Sequence, residues 1–378
     1  MNILFPYMAR WKSVNWTRYH NLFNEFAKKG HKIFIIQPPL LKSKETNFIE
    51  IDSELHENIH LITLNKIPLW NINTPLSKLF KKGIYNYCLS KKIKYYIKAF
   101  NIDTIFIYNI PQYIIAKKVK GKVKIIFDLC DDLPEMLKYE IKIFKNFFKI
   151  LGVFYLKNLI NSSDLIVTSS KKLKEKYYNN AYLIPNGVDI NLQNHFKKEK
   201  NNKKIIGFIG SFEYFVDFDL IIYLAKNLKD SLFFLIGSGR LFEKVKYLIN
   251  RNNLYNIKLY GFVPHKNIAL YLNKFDIALI PFKKNEVTNA ACPLKLFEYA
   301  LFKIPIVASD LEELKKLDQN FINFYNTKDE SLKLVRDIIN KKVYYTNKTE
   351  IGYKLIRDIY NWQKLADDYL KIIYDLNK

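Results

Sequence analysis

The 378 residues exceed what one hydrophobic core ordinarily serves, so two domains of usual size are expected. Hydrophobic residues make up 49% and charged residues 26%, which excludes a disordered chain, and no apolar run approaches the roughly 18 residues of a membrane span. Lys and Arg number 61 against 36 Asp and Glu, a net charge of +25 that is concentrated in residues 58–127, where 13 lysines accompany the single acid Asp103.

That basic segment suits an anionic membrane surface or nucleic acid, although a chain rich throughout in Lys, Asn, Ile, Tyr and Phe would also acquire such an excess from composition alone. The opening M-N-I-L-F-P has neither the basic start nor the long apolar core of a signal peptide, so a cytoplasmic protein is expected, with peripheral attachment to the inner face of the cell membrane in view. Cys88, Cys130 and Cys292 are far apart with no C-x-x-C, and they read as reduced thiols rather than a disulfide framework or metal site.

In chain order, N-I-L-F reads as a strand, 17–29 as a helix closed by Gly30, and K-I-F-I-I-Q as the next strand, which makes a β-α-β unit. Residues 40–75 are polar and irregular, with L-I-T-L at 61–64 a candidate strand, and 76–99 form a basic helix. D-T-I-F-I-Y-N at 103–109 and K-I-I-F-D at 124–128 have the continuous apolar character of buried parallel strands. Ligands of open α/β sheets lie beyond the carboxyl ends of strands, which brings Asn109, Asp128, Asp131 and Asp132 into consideration. Asp131 and Asp132 can equally cap the helix that follows, and His20 can be a packed helix residue.

Residues 133–161 read as a packed helix pair, although their aromatic and lysine-rich face also suits a membrane interface. D-L-I-V-T-S-S, K-K-L-K-E-K-Y and A-Y-L-I-P-N-G-V-D give strand, helix and strand, the last ending in a turn at Asn186-Gly187. The polar run 191–204 resembles a linker. It separates a first domain, 1–190, from a second, 200–354, and residues 355–378 are expected to cross back onto the first.

The second half restarts the β-α alternation as another doubly wound sheet, with glycine turns at Gly210-Ser211 and at 237–239 that let backbone approach a phosphate closely. Its organising stretch is C-P-L-K-L-F-E-Y-A-L-F-K-I-P-I-V-A-S, 292–309. Pro293 suits a helix start, and the spacing predicts a helix of about three turns before I-P-I-V-A. Lys295 and Glu298 stand on one face, roughly 4.5 Å apart along the axis. A diphosphate could rest on Lys295 and the free N–H groups of the helix start that follows Pro293, leaving Glu298 one turn deeper for a ribose. The alternative is a plain i,i+3 ion pair.

In sequence order, I-P-N-G-V-D, G-F-I-G-S, F-L-I-G-S-G, G-F-V-P, F-D-I-A-L-I-P-F, P-L-K-L-F-E-Y-A and I-V-A-S resemble the nucleotide-sugar half of GT-B glycosyltransferases, above all family 4 and its relatives. N-W-T-R-Y-H-N-L, F-A-K-K-G-H-K-I and D-L-C-D-D are similar to a bacterial subgroup that builds surface polysaccharides. The resemblance implies an α/β chain with two Rossmann-like domains facing each other across a cleft. It also implies transfer of a sugar from a UDP- or GDP-linked donor to a hydroxyl of a glycan or lipid-linked acceptor, with no cofactor or metal and no nucleic-acid partner. Gly210, Ser211, Gly237, Ser238, Arg240, Phe262, Val263, Pro293, Leu294, Lys295 and Glu298 would then surround the donor. Lys295 would act on the leaving diphosphate, and Asp131 or Asp132 would serve as base if the anomeric centre inverts.

Three departures from family 4 bear on the chemistry. Ala290 stands where the first of two family glutamates belongs, with Glu286 a loose substitute. The loop S-F-E-Y-F-V-D-F-D has none of the cations that usually hold the diphosphate, which leaves Lys295 in that role and Arg240 in reserve. Lys303 replaces the glycine that ordinarily ends the organising helix, so a strained cap is expected. Two other classes fit less of the sequence. One is an epimerase of nucleotide sugars on the same fold, and the other is a nucleic-acid-binding protein with steeply salt-dependent affinity.

Overall fold

A computed structural model describes residues 1–12, 16–39, 55–64, 67–68, 70, 75–140, 144–195, 197, 201–317, 320–340 and 342–376. Most of the irregular segment 40–75, and residues 196 and 198–200 of the polar run, lie outside the described residues.

The apolar runs form two separate parallel sheets. The first contains β1 (Asn2–Pro6), β2 (Lys32–Gln37), β3 (Ile59–Thr63), β4 (Thr104–Ile107), β5 (Lys124–Leu129), β6 (Leu165–Thr168) and β7 (Tyr182–Leu183), in the order β3-β2-β1-β4-β5-β6-β7. The second contains β8 (Ile205–Ile209), β9 (Leu232–Ile236), β10 (Ile257–Gly261), β11 (Ile277–Ile280), β12 (Ile306–Ser309) and β13 (Ile322–Tyr325), in the order β10-β9-β8-β11-β12-β13. Helices cover both faces, so the central strands read as unbroken apolar runs: β4, β6, β8, β11 and β12 are buried at every position. Each sheet starts in the middle and winds outward in both directions, the doubly wound pattern with its switch point between β1 and β4 in one and between β8 and β11 in the other.

The helices of the first half are α1 (Arg18–Lys28), α2 (Pro75–Ala99), α3 (Tyr113–Val119), α4 (Leu133–Glu140), α5 (Lys145–Asn161) and α6 (Lys171–Tyr177). Those of the second are α7 (Phe218–Asn227), α8 (Phe242–Arg251), α9 (Ala269–Leu272), α10 (Glu286–Asn289), α11 (Leu294–Leu301), α12 (Glu312–Leu317), α13 (Lys328–Asn340), α14 (Lys342–Asp358) and α15 (Trp362–Asp375). No helix among the described residues is long and apolar enough to cross a membrane.

The chain divides into two units: Met1–Pro185 with Ala366–Lys378, and Asn186–Leu365. The division falls before the polar run rather than within it. Ile190–His195 coil into a short 3-10 helix with Leu192 buried, and Val188 exchanges backbone hydrogen bonds with Tyr360 and Trp362, so residues after Pro185 belong to the second unit. The end of the chain returns to the first unit through α15. Tyr369 is fully buried against Phe26 and Phe106, with ring centroids at 5.9 and 5.5 Å, and the Tyr374 hydroxyl meets His31 Nε2 at 3.1 Å. Lys29 pairs with Asp367 at 2.6 Å.

The pair expected in 133–161 forms as α4 and α5. Gly152 lies so close to α4 that a methyl there would press on Pro134 and Leu137. Only one face of α5 is covered, however, and its other face is exposed.

Candidate functional site

The second sheet places its switch point, β8 beside β11, under the organising helix. Gly210 and Ser211 leave the carboxyl end of β8, and α11 follows β11 through α10. Pro293 is the N-cap of α11 in extended conformation, and every residue from Lys295 to Leu301 is buried. The Tyr299 hydroxyl accepts the Ile209 N–H at 2.9 Å, which ties the helix to the last residue of β8.

At eight residues α11 is shorter than the three turns expected, because the chain reverses at Lys303 with φ 52. The N–H groups of Lys303 and Ile304 donate to the carbonyls of Ala300 and Tyr299. A side chain in this left-handed position costs about 1 kcal/mol relative to glycine. Its ammonium pairs with Glu350 at 2.7 Å and lies 4.3 Å above the Tyr353 ring.

Lys295 is 9% exposed, and its ammonium makes no hydrogen bond or ion pair among the described residues. It sits 4.2 Å from the centre of the Phe208 ring and 5.0 Å from that of Phe282, so ring faces are its immediate partners. Gly210, with φ 147, makes room for it: a methyl at Gly210 would overlap the ammonium. Desolvation by burial lowers the Lys295 pKa to about 7, against a smaller upward pull from Glu298. The N–H groups of Leu294 and Lys295, in the first turn of α11, also lack acceptors among the described residues. The result is a cation and free N–H dipoles at the carboxyl end of a parallel sheet, an arrangement that receives an anion.

Glu298 does not pair with Lys295. Its Oε1 lies 3.1 Å from His265 Nε2, and His265 comes from the turn after β10. The i,i+3 ion pair is therefore absent, and His265 joins the site without having been singled out in the sequence. Its only signal was its place immediately after G-F-V-P. Phe262 and Val263 lie half-buried in the same turn, with Val263 packed against the core.

The two glycine loops pack on each other. Gly210 N–H donates to Ile236 O and Gly237 N–H to Gly261 O, so neither amide is available to a phosphate. Gly237, at φ 134, allows the carbonyl of Gly210 to approach where a side chain would stand. In the same loops, Phe212 N–H donates to Ser238 O, whereas the Ser211 N–H and hydroxyl have no partner among the described residues. Arg240 does not serve as a second free cation: its Nε pairs with Glu213 at 3.1 Å and its side chain is 59% exposed. Ala290 is buried, and Glu286 is exposed on the first turn of α10.

The acids of the first unit separate by environment. Asp132 accepts from the Glu135 N–H at 3.2 Å as the cap of α4, from Lys176 Nζ at 2.7 Å and from the Tyr177 hydroxyl. That buried carboxylate is a structural cap rather than a base. Asp131 is exposed, and its carboxylate has no hydrogen-bond or ion-pair partner among the described residues, while the surrounding protein and the charge of Asp132 push its carboxyl up. Asp128 forms a fully buried ion pair with Arg18 at 3.0 Å, and Asn109 caps the 3-10 turn Ile110–Gln112. His20 is held between the rings of Trp11 and Trp16 at 3.9 and 4.7 Å and is a packing residue. Among the described residues no group of His, Cys, Asp and Glu gathers that could hold a metal ion.

Known proteins resemble this chain in sequence and in fold. Residues 191–343 match the family model of glycosyl transferases group 1. An uncharacterized glycosyltransferase of Methanocaldococcus jannaschii is 25% identical over 317 residues, covering 81% of this chain and 84% of that protein. TuaH of Bacillus subtilis, named as a candidate glycosyltransferase of teichuronic acid biosynthesis, is 27% identical over 121 residues, 32% of this chain and 30% of that protein. Among solved structures, Anabaena HepE in complex with UDP and glucose matches with a TM-score of 0.72 at 13% identity, over 99% of this chain and 100% of that one.

Proposed function

We infer that this chain, a glycosyltransferase of the GT-B fold, takes its sugar from a nucleoside diphosphate and passes it to a hydroxyl of a glycan or lipid-linked acceptor in cell-surface polysaccharide or glycoconjugate synthesis. The observation that carries the donor class is the unpartnered Lys295 ammonium lodged against Gly210 at the switch point of the second sheet. A uridine donor is favoured by the likeness to HepE, whose structure holds UDP, and the polysaccharide reading by the likeness to TuaH.

In this reading the glycosidic C–O bond breaks with its electrons passing to the β-phosphate oxygen. Lys295 and the first-turn N–H groups of α11 neutralise that developing charge without a metal ion. The diphosphate raises the Lys295 pKa from its low value near 7, so donor binding takes up a proton and weakens as the pH rises above 7. Glu298, oriented by His265, accepts from the ribose hydroxyls. Asp131, exposed and with its carboxyl pushed up, is the base that deprotonates the acceptor if the anomeric centre inverts. The basic helices of the first unit bring the protein to an anionic membrane, where a lipid-linked acceptor resides.

A thermal-shift screen of UDP-, GDP- and ADP-sugars tests the donor class, since a ligand at about 100 times its dissociation constant adds about 2.7 kcal/mol of stability. One base should shift the transition well beyond the others, and no shift with any of them at millimolar concentration would refute the reading. Conversion of a donor into another nucleotide sugar without an acceptor would mark an epimerase instead.

A further inference from the structure

We propose that the outward face of α5 is the element by which this protein inserts into an anionic lipid surface. The inference rests on the membrane reading above and adds to it the side chains that enter the bilayer. α5 is apolar on two sides. One side, with Gly152, Leu156, Leu159 and Ile160, is buried. On the other, Phe147, Ile150 and Phe154 lie at i, i+3 and i+7 and are 61%, 69% and 59% exposed. Large apolar side chains at helical spacing ordinarily face an interior, yet this helix leaves three of them in a row facing solvent.

The charge around this stripe identifies its partner. α2, α3 and α5 contain no Asp or Glu. α3 packs on both α2 and α5, with the Tyr113 and Tyr155 rings 5.9 Å apart and Lys120 Nζ donating to Asn161 O at 2.9 Å. Exposed lysines therefore lie on α5 itself and on the helix packed beside it, Lys157 and Lys117 among them. On α4, Glu135 is already paired with Lys149 and Lys176. Two copies meeting through this face would set lysine against lysine, whereas anionic lipid headgroups satisfy the lysines while the acyl boundary takes up the Phe and Ile side chains.

Sedimentation of the full chain with vesicles of phosphatidylcholine and phosphatidylglycerol in equal parts, and with phosphatidylcholine alone, tests the proposal. The parent should bind the mixed vesicles and lose binding as salt rises. The triple variant Phe147→Ser, Ile150→Ser, Phe154→Ser should bind on the order of 100-fold more weakly. Because all three positions are exposed, its thermal transition should match the parent's. Undiminished binding of the triple variant overturns the assignment to α5 while leaving a purely electrostatic attachment intact. Absence of binding by the parent overturns both. A parent dimer that the triple variant abolishes, with vesicle binding unchanged, makes the face a contact between copies and likewise overturns the proposal.

Discussion

Replacing Lys295 with Met keeps the length of the side chain and removes its charge, and the stability difference between the two proteins should depend on pH in a specific way. In the unfolded chain the ammonium has its ordinary pKa of 10.5, and in the folded chain burial lowers it to about 7. Between those values the unfolded state holds a proton that the folded state has released, so raising the pH stabilises the folded parent. The gain is about 1.4 kcal/mol per pH unit, on the order of 4–5 kcal/mol across the whole window, and it vanishes below about pH 6 where both states are protonated. Lys295→Met lacks this group entirely. Urea unfolding of both proteins at a series of pH values should therefore show the variant ahead at neutral pH and the parent recovering steadily above it. A difference that stays constant from neutral to alkaline pH would refute the claim that the ammonium is buried without a partner.

Other substitutions separate catalytic from structural groups. Asp132→Asn should lower stability by about 1–3 kcal/mol through the loss of a buried charged acceptor, read by calorimetry, whereas Asp131→Asn, which removes a charge that its surroundings disfavour, should leave stability level or higher and, for an inverting transfer, abolish most turnover. His265→Ala should raise the donor KM several-fold with little change in kcat, because it orients a group that touches the non-reacting ribose; a fall in kcat alone would contradict that role. The Tyr369 hydroxyl is buried without a hydrogen-bond partner among the described residues, so Tyr369→Phe should leave the melting temperature level or higher, while Tyr369→Ala should cost about 3–5 kcal/mol and loosen the first unit. Deleting Ala366–Lys378 should do the same, and an unchanged transition would show that α15 adds nothing to that unit.

The sheets were legible because buried parallel strands are short apolar runs, and K-I-I-G-F-I-G-S and F-D-I-A-L-I-P-F could form nothing else in their setting. Lys295 was legible from its place one residue inside a helix start, and the strain at Lys303 from the missing glycine. Contacts made across the fold were not. Asp131 and Asp132 are adjacent in sequence and either could cap α4; the Glu135 N–H chooses Asp132, and the return of Lys176 and Tyr177, which no local pattern shows, commits the rest of that carboxylate. Glu298 faces Lys295 on a helical wheel, but His265 from another loop takes its carboxylate. Arg240 looked available until Glu213 appeared beside it. The glycine turns show in sequence as places of close backbone approach, but what approaches does not: the Gly210 and Gly237 amides bond to neighbouring strands, and the missing side chains admit a carbonyl and an ammonium. The amphipathic reading of 133–161 assumed that apolar residues find cover, and α5 leaves part of its surface bare.

The central claim is that Lys295 is the cation for the diphosphate of the donor, and calorimetric titration of UDP and of uridine into the parent and Lys295→Ala addresses it most directly. The parent should prefer UDP, and the variant should lose about 1–3 kcal/mol of UDP affinity, 10- to 100-fold, while binding uridine as before. Equal UDP affinity in parent and folded variant would contradict the account.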